Sequence, residues 1–156
     1  MNKHMKTILV VLLALAASAT VLAGCAGNAG GGTLNSEIIA ETGAFKVTAD
    51  NADADAAVTV GGAVTLGKGD ALLVSPDLTK GKLYVTLANK SGTAYEGEAS
   101  GRMLDTHEVA AGTYDITVAC KEAGTTGALV VAAVNADEFE QQDRDLDKAL
   151  ESLGAK

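Results

Sequence analysis

The chain has 156 residues, with 20 acidic side chains against 12 lysines and arginines, and a formal net charge of −8 at neutral pH. That balance repels phosphate backbones and anionic headgroups alike, so it argues against nucleic acid as a partner and against electrostatic docking on a membrane. The length suits one domain with a single core, and two cysteines cannot build a disulfide framework, so that core must hold the fold.

The first residues are basic at Lys3 and Lys6, then apolar from Thr7 to about Ala19 (TILVVLLALAASA), with no charge in the run. A permanent transmembrane helix needs about 20 apolar residues, and this run is shorter. Lysine before a short apolar stretch with small residues after it reads as a secretory signal peptide over residues 1–24, and Met5 offers an equally good start. Leu22-Ala23-Gly24-Cys25 closes the segment.

Those four residues resemble the bacterial lipobox: a leucine, two small residues and a cysteine. The resemblance covers the first 25 residues and identifies the chain as a bacterial lipoprotein. It implies a diacylglyceryl group on the Cys25 sulfur and cleavage between Gly24 and Cys25. The mature chain would then be tethered, outward-facing, to a bacterial cell membrane. Two acyl chains hold stably where one holds marginally, at about 0.8 kcal/mol per buried CH₂. Losing the leader removes two lysines and no acid, which takes the net charge to −10. Cys120 is then left with no partner for a disulfide.

After Cys25, residues 26–36 (AGNAGGGTLNS) read as a flexible glycine-rich linker with an r.m.s. reach of about 17–20 Å. The β-domain is expected over residues 37–134. Glu37–Glu41 fits either a short helix or a first edge strand. From Phe45 the pattern alternates, with Phe45, Val47 and Ala49 set against Lys46 and Thr48. Val58–Val60 and Val64–Leu66 flank Gly61-Gly62, which reads as a two-residue hairpin. Ala71–Ser75 reads as a buried strand ended by a turn at Pro76-Asp77, which closes near Lys80-Gly81. Lys82–Ala88 puts Leu83, Val85 and Leu87 on one face, and residues 89–93 (NKSGT) form a hairpin loop. Weaker strands are expected at Ala94–Ala99 and Met103–Val109, joined at Ser100-Gly101. Thr113–Cys120 follows, with Tyr114, Ile116, Val118 and Cys120 on one face, and Gly127–Val134 is the last strand. The sum is an all-β fold: an antiparallel β-sandwich of eight or nine short strands, jelly-roll or Ig-like. One C-terminal amphipathic α-helix over residues 135–156 completes it, capped by Asn135 with Glu138 three positions on, and bearing Phe139, Leu146, Leu150 and Leu153 on one face.

Residues from Lys82 to Val134, with the phrase Gly112-Thr113-Tyr114-Asp115-Ile116-Thr117-Val118, resemble small bacterial extracellular β-sandwiches of the pre-peptidase C-terminal type. The resemblance implies a tyrosine at a sandwich corner or in the core and a non-catalytic accessory role.

Candidate chemistry is sparse. Asp50, Asn51, Asp53 and Asp55 concentrate oxygen ligands and define a candidate calcium loop, although Ala56 and Gly62 stand where an EF-hand needs glycine and glutamate. Cys120 with His107 would be a thiol nucleophile and its base, but strand parity turns Cys120 toward the core, where a free cysteine packs as a small hydrophobe. His107 and Asp105 share a strand face, which supplies two ligands where a metal needs three or four. A sugar platform would draw on Tyr84 and Tyr95 on adjacent strands, which cross-strand packing explains equally well. No nucleotide-binding glycine fingerprint or serine-hydrolase elbow is present. The expectation is therefore a non-catalytic, lipid-anchored module that binds or scaffolds an envelope or extracellular protein or glycan. Calcium-dependent recognition of a carbohydrate or peptide is the alternative.

Overall fold

A computed structural model describes residues 32–141. The leader, Gly24 and Cys25 lie outside the described residues, as do Leu146, Leu150 and Leu153 of the helical stripe.

Eight strands form one antiparallel sheet: β1 (Thr33–Ile39), β2 (Ala44–Ala52), β3 (Ala57–Leu66), β4 (Asp70–Asn89), β5 (Gly92–Arg102), β6 (Asp105–His107), β7 (Gly112–Cys120) and β8 (Thr125–Asn135). The main path runs β1-β2-β8-β4-β7-β3, with β5 and β6 on the other edge of β4. β4 organises the molecule. Residues 70–80 of β4 pair with β8 and residues 83–88 with β7, while β6 pairs with 72–74 and β5 mainly with 82–89. Two layers result, β1-β2-β8-β4-β6 and β3-β7-β4-β5, which share one 20-residue strand. The fold is an antiparallel β-sandwich in which the sheet folds over on itself.

The alternation in the sequence explains the core. Phe45 and Val47 of β2, Leu83, Val85 and Leu87 of β4, Ile116 and Val118 of β7, and Leu129 and Val131 of β8 are fully buried in one shared cluster. Each such side chain contributes about 1.5–3 kcal/mol by leaving water. A second cluster lies on the opposite face of β2, β8 and the first half of β4, where Ala44, Ala71, Leu73, Val130, Ala132 and Val134 are buried. The continuous apolar runs ALLV and LVVAAV follow from this, since both faces of these segments are covered. Helix α1 (136–141) begins here. The Asn135 Oδ1 accepts the Glu138 amide at 3.1 Å, the expected N-cap, and Phe139 packs on the second cluster.

The corner of the sandwich lies where β4 passes from one layer to the other. Gly81 has φ +78°, and a Cβ there would run into Thr125. Gly127 has φ +136°, and a Cβ there would run into the backbone of Asp77 and Leu78. Side chains at these positions would hold β4 and β8 apart at the bend.

Several boundaries differ from the sequence reading. Gly61-Gly62 is no hairpin: β3 runs straight through it, paired with β7 on both sides, and residues 61–63 bulge opposite Asp115. Asp115 stabilises the bulge by accepting the Gly62 amide at 2.7 Å. The expected turns at Pro76-Asp77 and Lys80-Gly81 are interior to β4. Pro76 is tolerated because its carbonyl faces the β5–β6 side, where it accepts from Met103, and pairing there is interrupted between Asp77–Arg102 and Val74–Asp105. Ser100-Gly101 likewise lies within β5, and the Met103–Val109 strand shrinks to β6. Residues 33–36, expected as linker, belong to β1, and so do Glu37–Ile39, where the sequence fitted either a short helix or an edge strand. Leu34 turns inward into the core, and Gly32 lies so close to the backbone of Asn51 and Ala52 that a Cβ has no room.

Candidate functional site

The outer face of β3-β7-β4-β5 is the most organised polar surface of the domain. Strand parity builds it: inward Leu83, Val85 and Leu87 force Lys82, Tyr84 and Thr86 outward. Register then sets the rows. Ala57, Ala119, Tyr84 and Glu98 lie side by side across four strands, as do Thr59, Thr117, Thr86 and Glu96. The Thr59 and Thr117 hydroxyls are 2.9 Å apart, and those of Thr65 and Thr113 are 3.1 Å apart. Glu98 anchors one end. Tyr84 donates to its Oε2 at 2.8 Å, and the Lys82 ammonium sits 3.0 Å from its Oε1. Lys82, then Tyr84, hold the Glu98 carboxyl below its ordinary value, while Glu98 raises both the Tyr84 hydroxyl and the Lys82 ammonium. The trio is a closed set of contacts around one carboxylate, with each Glu98 oxygen engaged by a different partner.

Sequence reasoning placed Tyr84 outward but missed Glu98. The signal was present in the hairpin at 89–93, whose register projects along β5. The shift between Leu87 and Ala88 moves that register by one and hides the pair.

The two tyrosines of the expected sugar platform do not meet. Tyr84 faces outward, whereas Tyr95, opposite Leu87, turns inward. There its hydroxyl is 3.2 Å from the His107 Nε2, the ring centroids lie 4.6 Å apart with the planes tilted by 40°, and the tyrosine lies over Gly97, whose missing side chain it replaces. Burial, then Asp105, pushes the Tyr95 hydroxyl up. Tyr95 and His107 thus close the seam between β5 and β6, one from each layer.

Cys120 is buried at 1% exposure beside Thr125. Burial raises its thiol, Thr125 pulls it back in part, and the Asp53 charge adds to the rise. Such a thiol is a poor nucleophile. Nor is a base at hand. Cys120 pairs with Leu83 and His107 with Leu72, eleven positions apart on β4 and on opposite sides of its bend.

Asp50, Asn51, Asp53 and Asp55 lie at the end of β2 and in the loop to β3. Asn51 takes φ +49°, and its amide is held by the Thr126 hydroxyl at 3.2 Å. The Asp53 carbonyl accepts from Ala56 and closes a tight turn. Among the described residues no group of three or more His, Cys, Asp or Glu side chains comes together to hold a metal ion. The Lys80 ammonium and the Asn51 Oδ1 both lie within 3.4 Å of where a Cβ of Gly124 would stand.

Tyr114 is buried and donates to the Ala110 carbonyl at 2.7 Å, four residues upstream, fastening the turn into β7. Arg102 grips Asp77 through two hydrogen bonds, at 2.8 and 3.1 Å, and draws the Asp77 carboxyl down.

Comparison with protein-family models, curated proteins and solved structures finds no match to this chain.

Proposed function

We propose that this chain is a bacterial lipoprotein, moored at Cys25 and facing outward from the cell membrane, whose β-sandwich binds or scaffolds an envelope or extracellular partner without catalysis. The observation that carries the reading is Leu22-Ala23-Gly24-Cys25, placed after two lysines and an uncharged apolar run. Two features support it. Cys120 and His107, the nucleophile and base of the enzymatic reading, are apart and otherwise engaged. On the polar face that runs from Thr59 to Glu98, Glu98 is held by Lys82 and Tyr84 in a fixed arrangement that suits recognition. The resemblance to pre-peptidase C-terminal-type sandwiches, which rests in part on Tyr114, points the same way.

A calcium-dependent version of this role would need the 50–55 loop to gather ligands, and those carboxylates do not converge. The non-metal reading is therefore the one adopted.

Membrane fractionation tests the anchor. The Cys25→Ser chain should leave the membrane fraction for the soluble fraction while the parent stays behind. Equal membrane retention of both would contradict the tether. Affinity capture with the parent protein in native membranes tests the binding role. Retention of an envelope protein or glycan, lost on substitution of Tyr84 and Glu98, is the expected result.

A further inference from the structure

The outer face of β2, β8 and the first half of β4 is apolar, continuous and covered. Across it Lys46 lies beside Val130, Ala132 beside Leu73, and Val134 beside Ala71, and all six are buried. The cover ends one row further on, where Thr48 is exposed and its neighbour Ala128 is half-buried. A sheet face that meets water is polar, so a second apolar, buried face requires an overlying layer. Among the described residues, Ile39 of β1 and Ala136 and Phe139 of α1 are the further hydrophobic side chains packed on this cluster. Ala136 stands at the Val134 end of the patch, where its amide donates to the Gly69 carbonyl at 3.1 Å. Val130 is fully buried four residues back along β8, about 13 Å from that end.

Residues 142–156, outside the described residues, carry what such a layer needs. Leu146, Leu150 and Leu153 continue the stripe that Phe139 begins, at successive spacings of seven, four and three residues, which is one face of a helix. The dimensions agree. The patch spans two strand gaps by four residues of β8, a diagonal of about 16 Å. Phe139 to Leu150 covers about 16 Å as helix. Charge agrees as well. Lys46 is a cation at 7% exposure on this face, with a Glu37 oxygen at 3.6 Å. A buried charge is costly unless opposite charges gather round it. Asp143 and Asp147, one helical turn apart, flank the leucine stripe on one side.

We infer that the outer face of β2, β8 and β4 is an intramolecular docking site whose occupant is residues 142–156 of the same chain. The segment continues α1 across the sheet, with the leucine stripe against Val130 and Ala132 and the two aspartates toward Lys46. The seat lies on the other layer from the Tyr84–Glu98 face. The inference therefore adds to the proposed binding role and depends neither on that role nor on the lipid at Cys25.

Hydrogen exchange read by mass spectrometry on the full chain in detergent tests it, with the β7 peptide as the internal check of folding. A helix of this length is marginal alone in water, so slow exchange over 142–156 requires docking. In the parent those amides should be protected, to a degree that does not change with protein concentration. Leu146→Asp with Leu150→Asp should speed their exchange at least tenfold while β7 stays as in the parent. Leu150→Ala should move them the same way by a smaller factor, and it decides the matter if the double variant disturbs β7. Exchange at free-chain rates in the parent overturns the proposal. So does protection that rises with concentration, which would make a second copy's segment the occupant. Protection unchanged in the leucine variants overturns it too, because the stripe would then not be what seats the segment.

Discussion

Glu98 shows how one side chain fixes the character of a surface. Its two oxygens take Tyr84 and Lys82 separately, and its carboxyl is held below the ordinary carboxylate range as a result. Arg102 does the same for Asp77. Both carboxyls thus bind protons less readily folded than unfolded, so the unfolded chain holds more protons between the two values and stability rises with pH there. Their contribution is fully present above the ordinary carboxylate range and is lost as the pH falls through the folded values. Both pairs are solvent-screened, so the effect is small. A chain with Glu98→Gln and Asp77→Asn should melt slightly below its parent at neutral pH, and the gap should close on acidification. A gap that is constant from neutral to acid pH would show that neither pair acts through its charge. At Cys120 parity alone was decisive in the sequence: Tyr114, Ile116, Val118 and Cys120 alternate, and all four are buried. The Glu98 trio was not legible, because a one-residue bulge sets which side chains meet, and bulges leave little trace in composition.

At the scale of elements, the strands with clean alternation were readable and those passing through turn-forming residues were not. β7 and the second half of β4 matched because one face is buried and the other wet. β3 and the first half of β4 were cut short by glycine pairs and a proline, which signal turns when the chain is read locally. In the fold the same residues serve the sheet. Gly62 makes a bulge, Pro76 sits where a ladder is interrupted, and Gly81 lets β4 close on β8. What decides between turn and strand is the long-range partner, which no local pattern records. Gly81 gives a direct test against Gly43. Both have left-handed φ, +78° and +69°, but a Cβ at Gly43 meets nothing within 4 Å while one at Gly81 meets Thr125. Gly43→Ala should cost about 1 kcal/mol, the conformational penalty alone. Gly81→Ala should cost about 2 kcal/mol more, because the β4–β8 crossing must open. Urea unfolding of the two variants measures the difference, and equal losses would mean that the bend is not the tight point described here.

The whole molecule is an acidic sandwich stabilised by burial on both faces of β2, β8 and the first half of β4 and on one face of the other layer. Composition and periodicity made the all-β class legible. They did not reveal that one strand serves both layers, because a 20-residue strand crossed by Pro76 and Gly81 looks like two. Such a domain has no attraction of its own for anionic membranes. In the proposed reading its place in the cell rests on the sulfur of Cys25, and so does the role as a tethered binding module. The most direct measurement is the mass of the N-terminal peptide of the mature protein isolated from cell envelopes. The account predicts a peptide that begins at Cys25 and carries a diacylglyceryl thioether. A peptide that retains residues before Cys25, or an unmodified Cys25 at the terminus, would contradict it.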